Sequence, residues 1–170
     1  QQAAQLPYLQ NVFAAGNSGV FGSTNCNRYP ASFGTVLGAY QSAKNVVTVG
    51  NTTEIGALAP SSSRGPVRDG RIKPEITAQG SAVWSAGFGS YWANTGTSMS
   101  SPAVAGGLAL LYQHYRQLNG NATPRNGLMK ALLVNGATDL GRPGPDYAYG
   151  FGWMNLLRSA IMLENNNYFT

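Results

Sequence analysis

The sequence predicts an α/β layered domain built on a parallel sheet. Two kinds of segment alternate along it, and that alternation carries the assignment. One kind is short and rich in β-branched residues, as in "NVFAAGNSG" (11–19) and "NVVTVGN" (45–51). The other is long and repeats apolar residues every three or four positions, as from Ser98 to Leu118, where Val104, Leu108, Leu111, Tyr112 and Tyr115 line one face. A low charge content points the same way. Only 10% of the 170 residues are charged, with 22 Gly and 9 Pro, against about 25% charged in an ordinary soluble domain. Such a composition suits a loop-rich interior, or a part whose remaining surface rests on something else.

In chain order, "AAQLPYLQ" (3–10) reads as the tail of a helix stopped near Pro7. Val12–Ala15 is a short apolar strand that runs into a Gly-Asn-Ser-Gly turn, and a loop rich in Gly, Asn and Ser follows. "NVVTVGN" is a strand of the fully buried kind. "SSSRGPVRDGRIKPE" (61–75) reads as a solvated loop, and "EITAQG" and "AVWSAG" are short strands. Together these supply about four strands for the sheet, all in the first half of the chain. The helix from Ser98 ends at "LNGN", where Gly120 suits the left-handed cap position. "PRNGLMKALLVNGA" opens a second helix behind Pro124, and a third begins near Asn155. Four strands are few for a parallel sheet that needs both faces covered, so the architecture reads as incomplete.

Several function classes are excluded or disfavoured. The formal charge is +5, from 11 basic and 6 acidic residues. The one basic cluster, residues 64–73, has no interleaved aromatics to stack bases, so no nucleic-acid partner is expected. No run approaches the roughly 18 apolar residues of a membrane span. A lone Cys26 allows neither an internal disulfide framework nor a cysteine zinc site. The chain starts at Gln1 rather than Met, which suggests that the gene begins upstream.

Chemistry concentrates in two places. "NTGTSMSSPAVAGG" (94–107) puts Ser98, Ser100 and Ser101 where a Gly-Thr turn enters a helix. A serine there gains from unpaired amides and a helix dipole that favour developing negative charge. Equally, three serines can serve as a cap and as small packing residues. The turn after the first strand presents Asn17, which is either a turn former or an amide donor.

These segments, with "NVVTVGNTT", "SSSRGPVRDGRIKPEITAQG" and "YAYGFGWMNLLRSA", resemble in content and order the subtilisin-like serine peptidases, the subtilases. The resemblance runs from about Asn11 to Arg158 and matches the C-terminal half of that family's catalytic domain. It implies a three-layer subtilisin-like fold with a parallel sheet, present here as its C-terminal part, with residues 1–170 forming one portion of a single catalytic domain. It implies serine endopeptidase chemistry through an acyl-enzyme on Ser98. Asn17 and the Ser98 amide would be oxyanion donors, assisted by Thr97. Ala15 and Gly16 would line one wall of the P1 pocket, with Tyr29, Pro30 and Ala31 as base and other wall, and Tyr29–Pro30 is expected as a cis bond. Arg28 falls at the floor of that pocket. Pointing inward it would favour acidic P1 residues, and pointing outward it would not. Gln79 stands where the family has Pro, and Ala103 where many members have His, neither of them a triad position.

The triad is incomplete. Its base and orienting acid precede the asparagine block in the family, and no such segment is present. His114 lies 16 residues beyond Ser98, about 24 Å along a continuous helix. It cannot take the serine proton. Asp69, Asp139 and Asp146 read as loop residues. The resemblance therefore implies a chain inactive alone, whose partners are a peptide or protein substrate and a missing N-terminal half carrying Asp and His. A non-catalytic binding module on the same scaffold is the alternative. An exposed sheet edge would also invite self-association. No organic cofactor or metal is implied by these residues, although a weak structural calcium bound by carbonyls leaves no mark in sequence. The family expectation for location is secreted or cell envelope.

Overall fold

A computed structural model describes residues 6–20 and 29–168. The predicted helix tail lies largely outside them, and Leu6–Gln10 form turn and coil. Arg28 and Cys26 also lie outside. Three strands form the central sheet: β1 (Asn11–Ala14), β2 (Val46–Thr52) and β3 (Ile76–Gln79), in the order β1-β2-β3 and parallel throughout. The hydrophobic pattern explains why β2 is central, since all seven of its residues are buried. Alternate residues face opposite layers. Val47, Val49, Ile76 and Ala78 pack on the helical side, in one core with Val104, Leu108 and Leu111.

That helical layer comprises α1 (Thr97–Leu118), α2 (Asn126–Asn135) and α3 (Leu156–Glu164). Helix α1 crosses all three strands, and α2 and α3 contribute Met129, Leu132, Leu133 and Leu163 to the core behind it. Asn155 caps α3 by accepting the Arg158 amide at 3.1 Å. Gly120 follows the Asn119 C-cap with φ +59°. The other face of the sheet is covered by loops. Phe13 stacks on Tyr40, and Ala15, Val36 and Val67 form a second small core. No helix of the described residues is long and apolar enough to cross a membrane.

Two expectations are corrected. "AVWSAG" is a strand, β4 (Val83–Gly87), but it pairs antiparallel with β5 (Ser90–Asn94) in a separate hairpin. Only Gly80–Ala82 separate it from β3, far fewer than the dozen or so residues a parallel crossover needs. Among the described residues the parallel sheet therefore has three strands, not four. The stretch 64–73 is a loop, but much of it is not solvated: Gly65, Pro66, Val67 and Lys73 are buried. Its lysine has turned inward to a carboxylate. Lys73 Nζ donates to Glu75 Oε1 at 2.6 Å, to the Ala43 carbonyl at 2.9 Å and to Thr48 Oγ1 at 3.2 Å. Lys130 on α2 reaches the same Oε1 at 2.7 Å and the Val46 carbonyl at 2.8 Å. Glu75 Oε2 accepts the Thr48 amide. Burial pushes the Lys73 ammonium below its ordinary range, and the adjoining Glu75 pulls it back.

The two sheet edges differ. The outer edge of β3 is sealed by residues 151–154, through Phe151 N–H to Glu75 O, Thr77 N–H to Gly152 O and Met154 N–H to Thr77 O, each at 2.9 Å. The outer edge of β1 has no strand partner among the described residues.

Because one carboxylate holds two inward-facing ammonium groups, Glu75→Gln keeps the shape and an acceptor for Thr48 but removes the charge. We expect a loss of about 3–5 kcal/mol in urea unfolding, the range for breaking a buried ion network. A change below about 1 kcal/mol would show that the network carries little.

Candidate active site

Sequence reasoning left open which of the three serines does chemistry. Burial separates them. Ser100 is fully buried and its hydroxyl turns back to the Gly96 carbonyl at 3.5 Å, and Ser101 is half-buried. Ser98 is exposed, in the first turn of α1. Among the described residues neither its hydroxyl nor its amide has a hydrogen-bond partner. The amides on either side are used: Thr97 N–H donates to Asn17 Oδ1 at 3.0 Å and Met99 N–H to the Gly96 carbonyl at 3.0 Å. One outward N–H therefore remains at the positive end of a 22-residue helix.

Asn17, exposed on the turn after β1, is held by its carbonyl. Oδ1 accepts both the Thr97 amide and the Thr97 hydroxyl, the latter at 3.2 Å. A backbone N–H can only donate, so this fixes which side of the amide is oxygen. Nδ2 is thereby left to donate beside the helix start, and it has no acceptor among the described residues. The Thr97 hydroxyl in turn accepts the Gly16 amide at 3.2 Å. Gly16 has φ +107°, and a Cβ there would lie 3.0 Å from Ser63 Oγ, so the turn needs glycine. The Ser63 hydroxyl accepts the Ser18 amide at 3.0 Å. Ser63 was missed in the sequence because it sits in a serine-rich loop with no periodicity.

The helix start approaches the sheet closely. The Gly96 amide donates to the Gly80 carbonyl at 2.9 Å, and a Cβ on Gly80 would lie 2.6 Å from the Gly96 oxygen. Glycine at 80 thus sets how near Ser98 stands to the strand ends. Of the other expected residues, Ala15 is buried and Gly16 half-buried beside this network. Tyr29 is half-buried and meets Tyr147 edge to face at 5.3 Å, with its hydroxyl 3.4 Å from that of Tyr147. Pro30 and Ala31 are exposed. Tyr29–Pro30 is not a cis bond. Among the described residues the cis bonds are Gly65–Pro66 and Lys73–Pro74. The Pro30 carbonyl instead closes a turn by accepting the Phe33 amide at 3.2 Å, in the isomer that X–Pro bonds ordinarily favour.

The titratable groups are engaged elsewhere. His114 Nε2 stands 3.2 Å from Glu164 Oε1, between α1 and α3. Arg71 donates to Asp69 and holds its carboxyl below the usual range. Asp139 accepts the Gly144 amide, and Asp146 those of Arg142, Ala148 and Tyr149. No three His, Cys, Asp or Glu side chains among the described residues could hold a metal ion. Chemically, the arrangement offers an exposed hydroxyl and two free N–H donors, with no base bonded to that hydroxyl among the described residues.

Comparison with known proteins identifies the family and the fold. Residues 6–152 match the model of the subtilase family. Subtilisin DY of Bacillus licheniformis is 32% identical over 164 residues, covering 94% of this chain and 51% of that protein. The chain thus spans about half the length of that relative. The structure of the Clostridium perfringens CspB protease superposes with a TM-score of 0.72 at 30% identity, over 81% of this chain and 30% of that one. A lanthipeptide protease shares the fold, with a TM-score of 0.75 at 24% identity over 95% of this chain and 53% of that one.

Thr97→Val removes the hydroxyl that joins Asn17 to Gly16 while keeping the shape. We expect it to lower stability by about 1–3 kcal/mol in thermal or urea unfolding, because the Gly16 amide loses its acceptor. Thr97→Ser should restore most of the loss. Equal stability of all three proteins would mean that the hydroxyl bridges nothing.

Proposed function

The chain belongs to the subtilase family, and from that premise we propose that it is the serine-bearing half of a peptide-bond hydrolase, with Ser98 as its nucleophile. The observation that carries the reading is the side-on grip of Thr97 on Asn17. It turns the Asn17 Nδ2 outward at the helix start where Ser98 keeps a free amide and a free hydroxyl.

In this reading Ser98 Oγ attacks the carbonyl carbon of the scissile peptide, and its proton passes to a base. Negative charge develops on the carbonyl oxygen, which accepts the Ser98 amide and Asn17 Nδ2. Both donors are already oriented and the helix dipole adds to them. Collapse expels the amine with the proton from the base and leaves an acyl-enzyme, which water then hydrolyses by the reverse sequence. Ala15 and Gly16 would form a wall for the P1 side chain, with Tyr29 and Pro30 opposite.

The base and its orienting acid would come from a segment outside this chain. The open edge of β1 supports such a partner. So does the face of α1 that bears Pro102, Ala105, Gly106, Ala109 and Leu110, all exposed along one flank of a helix otherwise packed on the sheet. The same surfaces would allow self-association in the partner's absence. A secreted or envelope location belongs to the proposal on the family expectation. The alternative, a binding module that keeps the scaffold without turnover, makes the opposite prediction for serine reactivity.

A serine-directed fluorophosphonate separates them. With the Asp- and His-bearing half present, we expect one adduct, on Ser98 by peptide mass, lost on denaturation and in Ser98→Ala but kept in Ser100→Ala. No adduct under these conditions would contradict the enzyme reading. In the active protein Asn17→Ala should lower kcat by about 10²- to 10³-fold, the range seen when this donor is removed from a subtilisin oxyanion hole, with little change in KM.

A further inference from the structure

A groove of about 550 Å³ reaches the first turn of α1. Met99, the residue after Ser98, forms its near end, and Trp84 and Trp153 its walls. Met154 lines it as well, and Gln79 and Glu54 bring polar groups. It opens against β3, whereas Asn17 follows β1, so the two lie toward opposite edges of the sheet.

The hairpin explains why Trp84 is left uncovered. In an antiparallel pair, directly opposed residues share a face, and Trp84 faces only Ala93. Trp92 points to the other face, where its ring lies across Gly87 at a distance that a Cβ there would violate. Trp92 thus covers its own hairpin, while Trp84 remains 72% exposed. A tryptophan held out on a hairpin, lining one groove with a second tryptophan and two methionines, leaves an apolar surface open to a side chain from another molecule. Glu54, exposed at the end of the same groove, gives it a negative charge and hence a preference for a basic neighbour.

We propose that this groove binds the segment of a polypeptide substrate on the leaving-group side of the scissile bond, taking an aromatic or large aliphatic side chain between Trp84 and Trp153 and a basic one at Glu54. The inference rests on the reading of Ser98 as nucleophile and of Ala15–Gly16 as the P1 wall. With the acyl side held toward β1, a chain passing over Ser98 continues past Met99 toward β3. Contacts there would lie away from the bond being cut, so their binding energy would raise kcat/KM only for substrates that extend past it.

The test uses the enzyme completed by its Asp- and His-bearing half and three substrates with one acyl sequence. The first is a methyl ester, with only a methyl group beyond the scissile bond. The second is extended by glycines, and the third by a segment containing Phe and Lys. We expect the Phe–Lys peptide to be cleaved with a kcat/KM at least about tenfold above the glycine peptide. Trp84→Ala should remove that advantage while leaving the methyl ester rate within twofold, which also reports that the variant is folded. Glu54→Gln should remove only the part due to Lys, seen against a Phe–Gln peptide. Equal kcat/KM for the two extended peptides, or an equal loss on all substrates in Trp84→Ala, overturns the groove while leaving the Ser98 reading intact. Failure of the unaltered enzyme to cleave the ester would instead overturn the Ser98 reading, and the groove proposal with it.

Discussion

A single threonine joins two parts of the chain that are 80 residues apart. Its amide and hydroxyl both point at the Asn17 carbonyl, and the same hydroxyl accepts the Gly16 amide. Helix α1 gains a partner for one of the orphan amides of its first turn, although Gly96 offers no side-chain cap. The turn after β1 gains a fixed direction. With that amide occupied, the next one, on Ser98, is the one left facing outward. Thr97 itself is fully buried while its neighbour Ser98 is exposed, a change of side that the first helical turn makes between adjacent residues. The position of every group in the candidate site therefore follows from where this threonine sits.

Close approach of backbone to backbone keeps it there. Gly80 carries the chain from β3 beneath the helix start, and the Gly96 amide bonds to its carbonyl. Strand β3 is in turn held between β2 and residues 151–154. At the opposite end of the sheet the two lysines and the buried Glu75 tie β2, β3 and α2 together. A network like this costs desolvation and offsets it only through complete hydrogen bonding, so it specifies register more than it adds stability. The result is a sheet well determined at β2 and β3 and open at β1.

Much of this could be read from residue order. The β-branched run at 45–51 produced a fully buried strand because nothing but a central position accommodates it. The apolar spacing in 98–118 gave α1 nearly to the residue, and Asn155 capped α3 as its side chain allows. What could not be read depends on partners distant in sequence. Lys73 sits in a stretch of arginines, glycines and an aspartate, and the Ala43 carbonyl and Thr48 hydroxyl, from another part of the chain, join the nearby Glu75 carboxylate in bringing it inside. Strand β5 was missed because both of its faces are largely exposed, which erases the alternation that marks a strand. The candidate site was legible as residue types through family resemblance. Its logic was not, because which end of the Asn17 amide is free depends on a bond from Thr97.

The account stands on that bond, and amide hydrogen exchange measures it directly. In the folded protein the Thr97 amide should be protected although it lies in the first turn of a helix, where amides usually exchange fast. Asn17→Ala should release Thr97 while leaving the amides of β2 unchanged. A Thr97 amide that exchanges in the unaltered protein as fast as that of Ser98 would contradict the account, since Asn17 would then be free to turn and nothing would hold its donor at the helix start.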